Sequence, residues 1–433
     1  MALECQRAAT LPERMRMEEE KARSSESYII AELGEAEQQA LADFKLAIAA
    51  AAKAGEFSIP SAGNAGATEQ GDDPPPAAAP AGIDSSDSGI TLWGIPLLDG
   101  SGAADVVMLK FLRAREFKVD VAVGMLKNTV SWRKRFGCDG GFLGEEIEAG
   151  IKSTGFYYGC DKGGHPVCYN IVDSGMYQEL LDGQDGFEKL LRWRVKLMED
   201  GIKLLDFDPR GVSSMVQVID LKNFSMKKKA RAALLDTIQL FSDNYPELVS
   251  KLMLVNVPWY YNALYVMISP FLTQRSKDKI SVATKRKTPE ALFAAISPEN
   301  VPVQYGGLGK ANDELFRNAK ATITESCVKA GSMLIIEIQI NEGDEVSWEL
   351  SVLGWDVSYG AEFTPSTEGG YTVIVEKPRK ISAQEFQGEG ELVGNDGICN
   401  TFKTKSPGSL LLTIDNSAAK KKKLVHYRYI VRG

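Results

Sequence analysis

The chain has 433 residues, 44% of them hydrophobic, enough for two or three domains with cores of their own. No apolar run reaches the length of a membrane-spanning helix, the start MALECQRAATLPERMRMEEE lacks the greasy centre of a signal peptide, and the six cysteines form no C-x-x-C, so a cytosolic chain with reduced thiols is expected. The net charge of −8 is an uneven average: residues 1–100 carry 17 acids and 7 bases, while the remainder carries 41 acids and 43 bases, too nearly neutral for a general nucleic-acid binder.

In chain order, residues 1–91 read as an acidic, largely disordered region with one short helix. EAEQQALADFKLAIAAAAKAG sets Leu41, Phe44 and Ile48 at helical spacing, but such a helix is marginal alone. Residues 58–91, including DDPPPAAAPAG, have the composition of a linker. Order begins near Trp93 with a helical unit over 92–140. ADVVMLKFLRAREF is apolar on one face, and Val119, Val123, Leu126 and Val130 follow in steps of four, three and four.

Over 145–311, strands alternate with helices. VCYNIV, SMVQVIDL, KLMLVNV and KISVAT predict strands. Helices are predicted with Leu190, Trp193, Leu197 and Leu204 on one face, and with Leu234, Ile238, Phe241 and Tyr245 on another. This is an α/β layer with a largely parallel or mixed sheet. Over 315–433 the period changes to two. MLIIEIQI, EVSWELSV, YTVIVEK, SLLLTIDN and KLVHYRYIV predict an all-β sandwich.

The stretch Leu252–Ile280, LMLVNVPWYYNALYVMISPFLTQRSKDKI, stands out. Pro258 stops a strand, and no charged side chain follows from Trp259 to Leu272. Pro258 and Pro270 bracket about three turns of helix, apolar all round and too short to cross a bilayer. Ordinary core is the blander alternative. Trp259, Tyr260, Tyr261 and Tyr265 favour a surface dry on one side and wet on the other. The expectation is therefore a movable lid over something greasy, with Arg275, Lys277 and Lys279 beside it for an anionic group.

Enzyme readings lack their parts. His165 and His426 are far apart, and no G-x-S-x-G, P-loop or H-E-x-x-H occurs. No catalytic residue, metal or cofactor is expected.

These stretches resemble a CRAL-TRIO lipid-binding module followed by a GOLD domain, the arrangement of the patellin family. LKFLRAREFKVDVAVGML is similar to the helical unit ahead of a CRAL-TRIO fold. DKGGHPVCYNIV, VIDLKNF, DNYPELVSKLMLVNVPW, ISPFLTQRSKDKI and ISPENVPVQYGGL resemble its successive signatures. VSWELSVLGWDVSYGAEFTPSTEGGYTVIVEKPRK and LLLTIDNSAAKKKKLVHYRYIV are similar to the GOLD sandwich. The resemblance implies that Trp259, Tyr260, Tyr261, Leu264, Tyr265, Met267, Ile268 and Phe271 form a lipid gate. It implies that Glu247, Ser276 and Lys279 hold an inositol headgroup, the Lys as a point charge toward phosphate. Met215 and Gln217 replace the hydroxyl pair of phosphatidylcholine-binding members, which argues against choline-lipid exchange.

The function implied is a monomeric, cytoplasmic, peripheral membrane protein that binds phosphoinositides and acts in membrane trafficking, including cell-plate formation. Its setting would be plasma membrane, endosome or cell plate, with trafficking proteins bound through the GOLD domain or the acidic tail. Lys285, Arg286 and Lys287, and Lys420, Lys421, Lys422 and Lys423, are candidate membrane contacts at about 1 kcal/mol per charge near an anionic leaflet. A two-chain lipid has roughly 30 methylenes, whose exposure would cost on the order of 20 kcal/mol. A lid that opens against a bilayer avoids that exposure. The rival readings are a trafficking adaptor with a structural or empty pocket, and a carrier of another hydrophobic ligand.

Overall fold

The computed structural model describes residues 27–57, 90–139, 149–172, 180–183, 185–224, 227–310, 313–367, 369–382 and 398–433. Residues 1–26 of the acidic region and 58–89 of the expected linker lie outside them. The helix read from Leu41, Phe44 and Ile48 is α1 (Glu35–Lys53), and those three side chains are buried. A short hairpin, β1 (Thr91–Leu92) and β2 (Ile95–Pro96), leads to α2 (Gly102–Ala114) and α3 (Val119–Phe136). The Ser101 hydroxyl accepts the Ala104 N–H to start α2, and Gly137, at φ 84°, takes the left-handed turn that ends α3. The α1 helix shares one core with α2 and α3, which supplies the stability that its alanine-rich sequence lacks.

The middle of the chain runs through α4 (Ala149–Lys152), β3 (Gly155–Cys160), β4 (Pro166–Ile171), α5 (Gly186–Ile202), β5 (Met215–Asp220), α6 (Lys228–Asn244) and β6 (Val249–Val257). It continues with α7 (Tyr261–Ile268), α8 (Gln274–Asp278), β7 (Ile280–Thr284) and α9 (Thr288–Ala295). The sheet order is β3-β4-β5-β6-β7, antiparallel between β3 and β4 and parallel thereafter. The four strands expected are present. The sequence pattern missed β3, GFYYGC, whose glycines blur any alternation. His165 is the turn residue expected: the Asp161 carboxylate accepts its backbone N–H and that of Gly163 in the β3–β4 hairpin.

The two faces of this sheet differ. Val167, Tyr169, Val216, Val218, Met253 and Val255 are sealed by α9 and by Ile296, Val301 and Tyr305. Ile219, Leu252, Leu254 and Ile280 lie in register on the other face, beneath α6 and α7.

After α10 (Glu314–Asn318) come β8 (Thr324–Val328), β9 (Met333–Ile340), β10 (Glu345–Val352), β11 (Val357–Pro365), β12 (Val373–Ile381), β13 (Ile398–Lys403), β14 (Gly408–Asp415) and β15 (Lys423–Arg432). They form two antiparallel sheets, β13-β10-β15-β8 and β12-β11-β14-β9. A shared core includes Trp348, whose indole N–H donates to the Tyr359 hydroxyl at 2.8 Å. Strand β10 is buried on both faces because its polar side meets the end of the α/β module. There Glu349 pairs with Lys310 at 2.7 Å and with Arg428, Arg428 reaches Asp313, and Ser351 donates to the Gly306 carbonyl at 2.7 Å. Such charges are tolerated in an interior only when paired.

Candidate functional site

Strand β6 delivers the chain to Pro258, and the lid that follows is shorter than its sequence suggests. Two turns of α-helix end at Ile268, and Ser269–Phe271 is a 3₁₀ turn. Pro270 lies inside that turn, where a missing N–H is tolerated, rather than at the end of one continuous helix. The lid is apolar all round but not buried all round. Leu264 and Ile268 face inward with Val172, Leu221, Phe224 and Leu254, and Tyr260, Tyr261, Tyr265 and Met267 are half-buried. Trp259 is 92% exposed, Val266 73% and Phe271 36%. A core helix would not leave such side chains in water, so the blander reading of this stretch fails.

Beneath the lid, Ile219, Leu252, Val257 and Ile280 from the strands and Leu234, Leu235 and Ile238 from α6 are only half-buried. Central strands of a parallel sheet are normally covered on both faces, so solvent reaches an apolar trough between sheet, α6 and lid. Its polar end is already bonded. Arg194 donates to Asn170 Oδ1 at 2.7 Å, Asn170 Nδ2 to Gln217 Oε1 at 2.8 Å, and Gln217 Nε2 to Met215 Sδ at 3.1 Å. The two positions that replace the hydroxyl pair are thus committed to an internal network.

Charge gathers where β6 and β7 begin. The Leu252 N–H donates to the Lys279 carbonyl at 2.9 Å, which ties the two strand starts together. Glu247 follows Pro246 in the left-handed region, φ 52°. Its carboxylate accepts Lys279 Nζ at 2.7 Å and Arg275 Nε at 3.2 Å. Burial alone would raise the Glu247 pKa, but Lys279 and Arg275 outweigh it and hold the group below its ordinary 4.5. From α2, Lys110 Nζ donates to the Glu247 carbonyl at 2.9 Å. Burial pushes Lys110 well below its ordinary pKa, Glu247 opposing and Lys279 and Arg113 reinforcing. Arg113, one turn on, is also buried. Lys279 and Arg275 thus meet the Glu247 carboxylate, Lys110 its carbonyl, and Arg113 lies with Lys110 over the Tyr28 ring.

Glu247 and Lys279 are brought together as expected. The Ser276 hydroxyl lies 2.9 Å from that of Thr273, which also caps α8 by accepting the Ser276 N–H. Lys110 and Arg113 escaped the sequence reading because helical spacing consigns cations on an amphipathic helix to water, whereas Ala104 to Arg113 is buried on every side. Two cations three residues apart within the apolar run LKFLRA were the available signal.

The basic runs lie elsewhere. Lys285, Arg286 and Lys287 are exposed just past β7. The pairing Val257↔Thr284 puts that turn on the same rim as Trp259. Glu247 and Lys279 stand at the opposite ends of these strands, roughly 17 Å away over five residues. Lys420, Lys421 and Lys422 are exposed in the β14–β15 turn. Lys423 is not available with them: its ammonium donates to the Trp355 carbonyl, and burial lowers its pKa. Lys229 bridges to Asp182 at 2.7 Å. Among the described residues no helix is long and apolar enough to cross a membrane.

Comparison with known proteins matches the CRAL/TRIO domain to residues 152–307, the CRAL/TRIO N-terminal domain to 69–128, and the patellin-1-like C-terminal GOLD domain to 329–423. Patellin-6 of Arabidopsis thaliana is 41% identical over 80% of this chain and 84% of its own length. The chain belongs to the patellin family. Patellin-4 of the same plant is 43% identical over 80% of this chain, which spans only 62% of that relative. A phosphatidylinositol transfer protein, sfh5, of Neosartorya fischeri is 29% identical over 57% of this chain and 63% of its own. In this patellin the helical unit, the lidded α/β module and the β-sandwich correspond to those three domains.

Proposed function

We propose that this patellin is a peripheral membrane protein that binds a phosphoinositide, with acyl chains in the trough beneath α7 and phosphate groups among Lys279, Arg275, Lys110 and Arg113. The observation that carries this reading is the cation cluster: Lys279 and Arg275 pair with the Glu247 carboxylate and Lys110 with the Glu247 carbonyl, at the foot of a trough lined by aliphatic side chains. A bound phosphate would accept charge-assisted hydrogen bonds from these cations, and Glu247 would orient Lys279 or accept inositol hydroxyls. A neutral ligand has no use for such a cluster. The sfh5 relative, by its name a phosphatidylinositol transfer protein, supports the same choice of lipid.

Trp259, Val266 and Phe271 then form the membrane-facing surface of the gate, and Lys285–Lys287 on the Trp259 rim hold it against an anionic leaflet. Lys420–Lys422 offer a second contact from the sandwich. The role we assign is membrane trafficking from the cytoplasm, at plasma membrane, endosome or cell plate, including cytokinesis in dividing cells. Mass spectrometry of lipid extracted from the purified protein tests the core of this reading. Stoichiometric phosphoinositide is expected, with its loss on Lys279→Ala; a preparation free of lipid would leave the adaptor reading in its place.

A further inference from the structure

Arg231 stands apart from the other cations of the α/β module. It is half-buried near the start of α6, and helical spacing puts it in one stripe with Leu234, Leu235, Ile238 and Ser242. That stripe meets the lid. Leu234, Leu235 and Ile238 share an apolar cluster with Leu264 and Ile268, and the Ser242 hydroxyl donates to the Phe271 carbonyl at 3.5 Å. At the other end of the lid, the Tyr260 hydroxyl donates to the Phe224 carbonyl, just ahead of α6. The lid therefore lies along α6, with Arg231 toward its Tyr260 end, the rim that carries Trp259 and Lys285–Lys287. Ser242, toward Glu247, is roughly 16 Å further along the helix at 1.5 Å per residue.

What singles out Arg231 is an unmet donor. Its Nε is shielded from solvent, and among the described residues no group accepts its proton. One turn away on α6 stand Lys227 and Lys228 on one side and Leu234 and Leu235 on the other, so the helix supplies no carboxylate. An unsatisfied N–H on a charged group is costly, and an arginine stem is long enough to carry its head into water instead. A donor kept dry on the lid-facing stripe is placed for an anionic acceptor. The planar guanidinium matches two oxygens of a phosphate, and Lys228, exposed one turn back, adds positive charge. On the rim assigned to the bilayer, those oxygens belong to lipid phosphates.

We propose that Arg231 is a second phosphate site, at the mouth of the trough, which holds the phosphate of a membrane phospholipid as it passes between leaflet and trough. The proposal rests on the reading of the trough as a lipid site. It adds a stopping point at the end of the trough away from Lys279, so Arg231 governs the rate of loading and Lys279 the final occupancy.

The test compares the full chain with Arg231→Gln, Arg231→Lys and Lys279→Ala. Loading from phosphatidylcholine vesicles that carry pyrene-labelled phosphatidylinositol, and unloading to unlabelled vesicles, are followed to equilibrium. Arg231→Gln should slow both directions about tenfold and leave final occupancy and melting temperature unchanged. Arg231→Lys, which keeps the charge but loses the fork, should fall between, and Lys279→Ala should lower occupancy. In a second arm, the Arg231 Nε–H signal, assigned by its absence from Arg231→Lys, is followed by NMR. Dihexanoylphosphatidylinositol should shift it and glycerol 3-phosphate should not. Unchanged rates in Arg231→Gln overturn the proposal. So does reduced occupancy in that variant, which would place Arg231 in the resident headgroup site. An equal shift by glycerol 3-phosphate overturns the lipid assignment in favour of a free phosphate ester. If the parent protein takes up no lipid, the trough reading fails and this proposal with it.

Discussion

Trp259→Ala isolates the lid's outer surface from its role in folding. The side chain is 92% exposed, so its removal should change unfolding free energy by no more than about 0.5 kcal/mol. At a membrane the same side chain has a large apolar area to lose from water. If about 100 Å² of the indole enters the interfacial region, then at ~25 cal/mol per Å² the loss is about 2.5 kcal/mol, or roughly 60-fold in partitioning. The assay is flotation with vesicles of phosphatidylcholine and phosphatidylserine, alongside thermal unfolding. Leu264→Ala is the counterpart on the inner surface, 2% exposed, and should cost about 2–5 kcal/mol of stability. Membrane binding of the Trp259→Ala protein equal to that of the parent would refute the assignment of this surface to the bilayer.

Lys279→Ala should reduce phosphoinositide binding, and the geometry predicts a cost in folding too. The 2.7 Å pair with a nearly buried Glu247 leaves that carboxylate dependent on Arg275, so a loss of about 1–3 kcal/mol in chemical denaturation is expected. Glu349→Ala strands Lys310 and leaves Arg428 with Asp313 in the joint between the modules, and should destabilise by about 3–5 kcal/mol; a change confined to surface magnitudes would mean that water already reaches them. Burial depresses the pKa of Lys110, so stability from this group grows as pH rises through its folded pKa toward the ordinary 10.5. A bound phosphate raises that pKa again. At pH values between the free and the bound pKa, binding should therefore take up protons and weaken with rising pH, read as heats that differ between buffers of different ionisation enthalpy, and Lys110→Met should abolish the difference. Glu247, held below 4.5, works in the other direction: the stability it contributes is present above that pH and is lost as pH falls through its lowered folded pKa.

Much of this patellin is written in local pattern. The period-3.6 runs of α1, α3 and α5, the period-2 runs of β9 and β14, and the charge-free stretch after Pro258 each depend on neighbours in sequence, and each is legible there. Strands β3, β8, β11 and β13 were not, because short segments with glycine or mixed polarity are stabilised by pairing partners far away in the chain. The lid shows the limit most clearly. Its composition marks it as unusual, but only packing assigns Leu264 to the trough and Trp259 to water.

The cation cluster marks the same boundary. Glu247 and Lys279 are readable as a motif, yet Lys110 and Arg113 look like ordinary solvent-facing charges on a helix. Composition and periodicity determined which segments fold and of what kind, because hydrophobic burial and backbone geometry act over a few residues. The tertiary structure alone decided which charges share a site, since electrostatic partnership depends on distance through space: Lys110 meets the carbonyl of Glu247, 137 residues further along. The contact of Tyr28 with both cations belongs to that second kind of information.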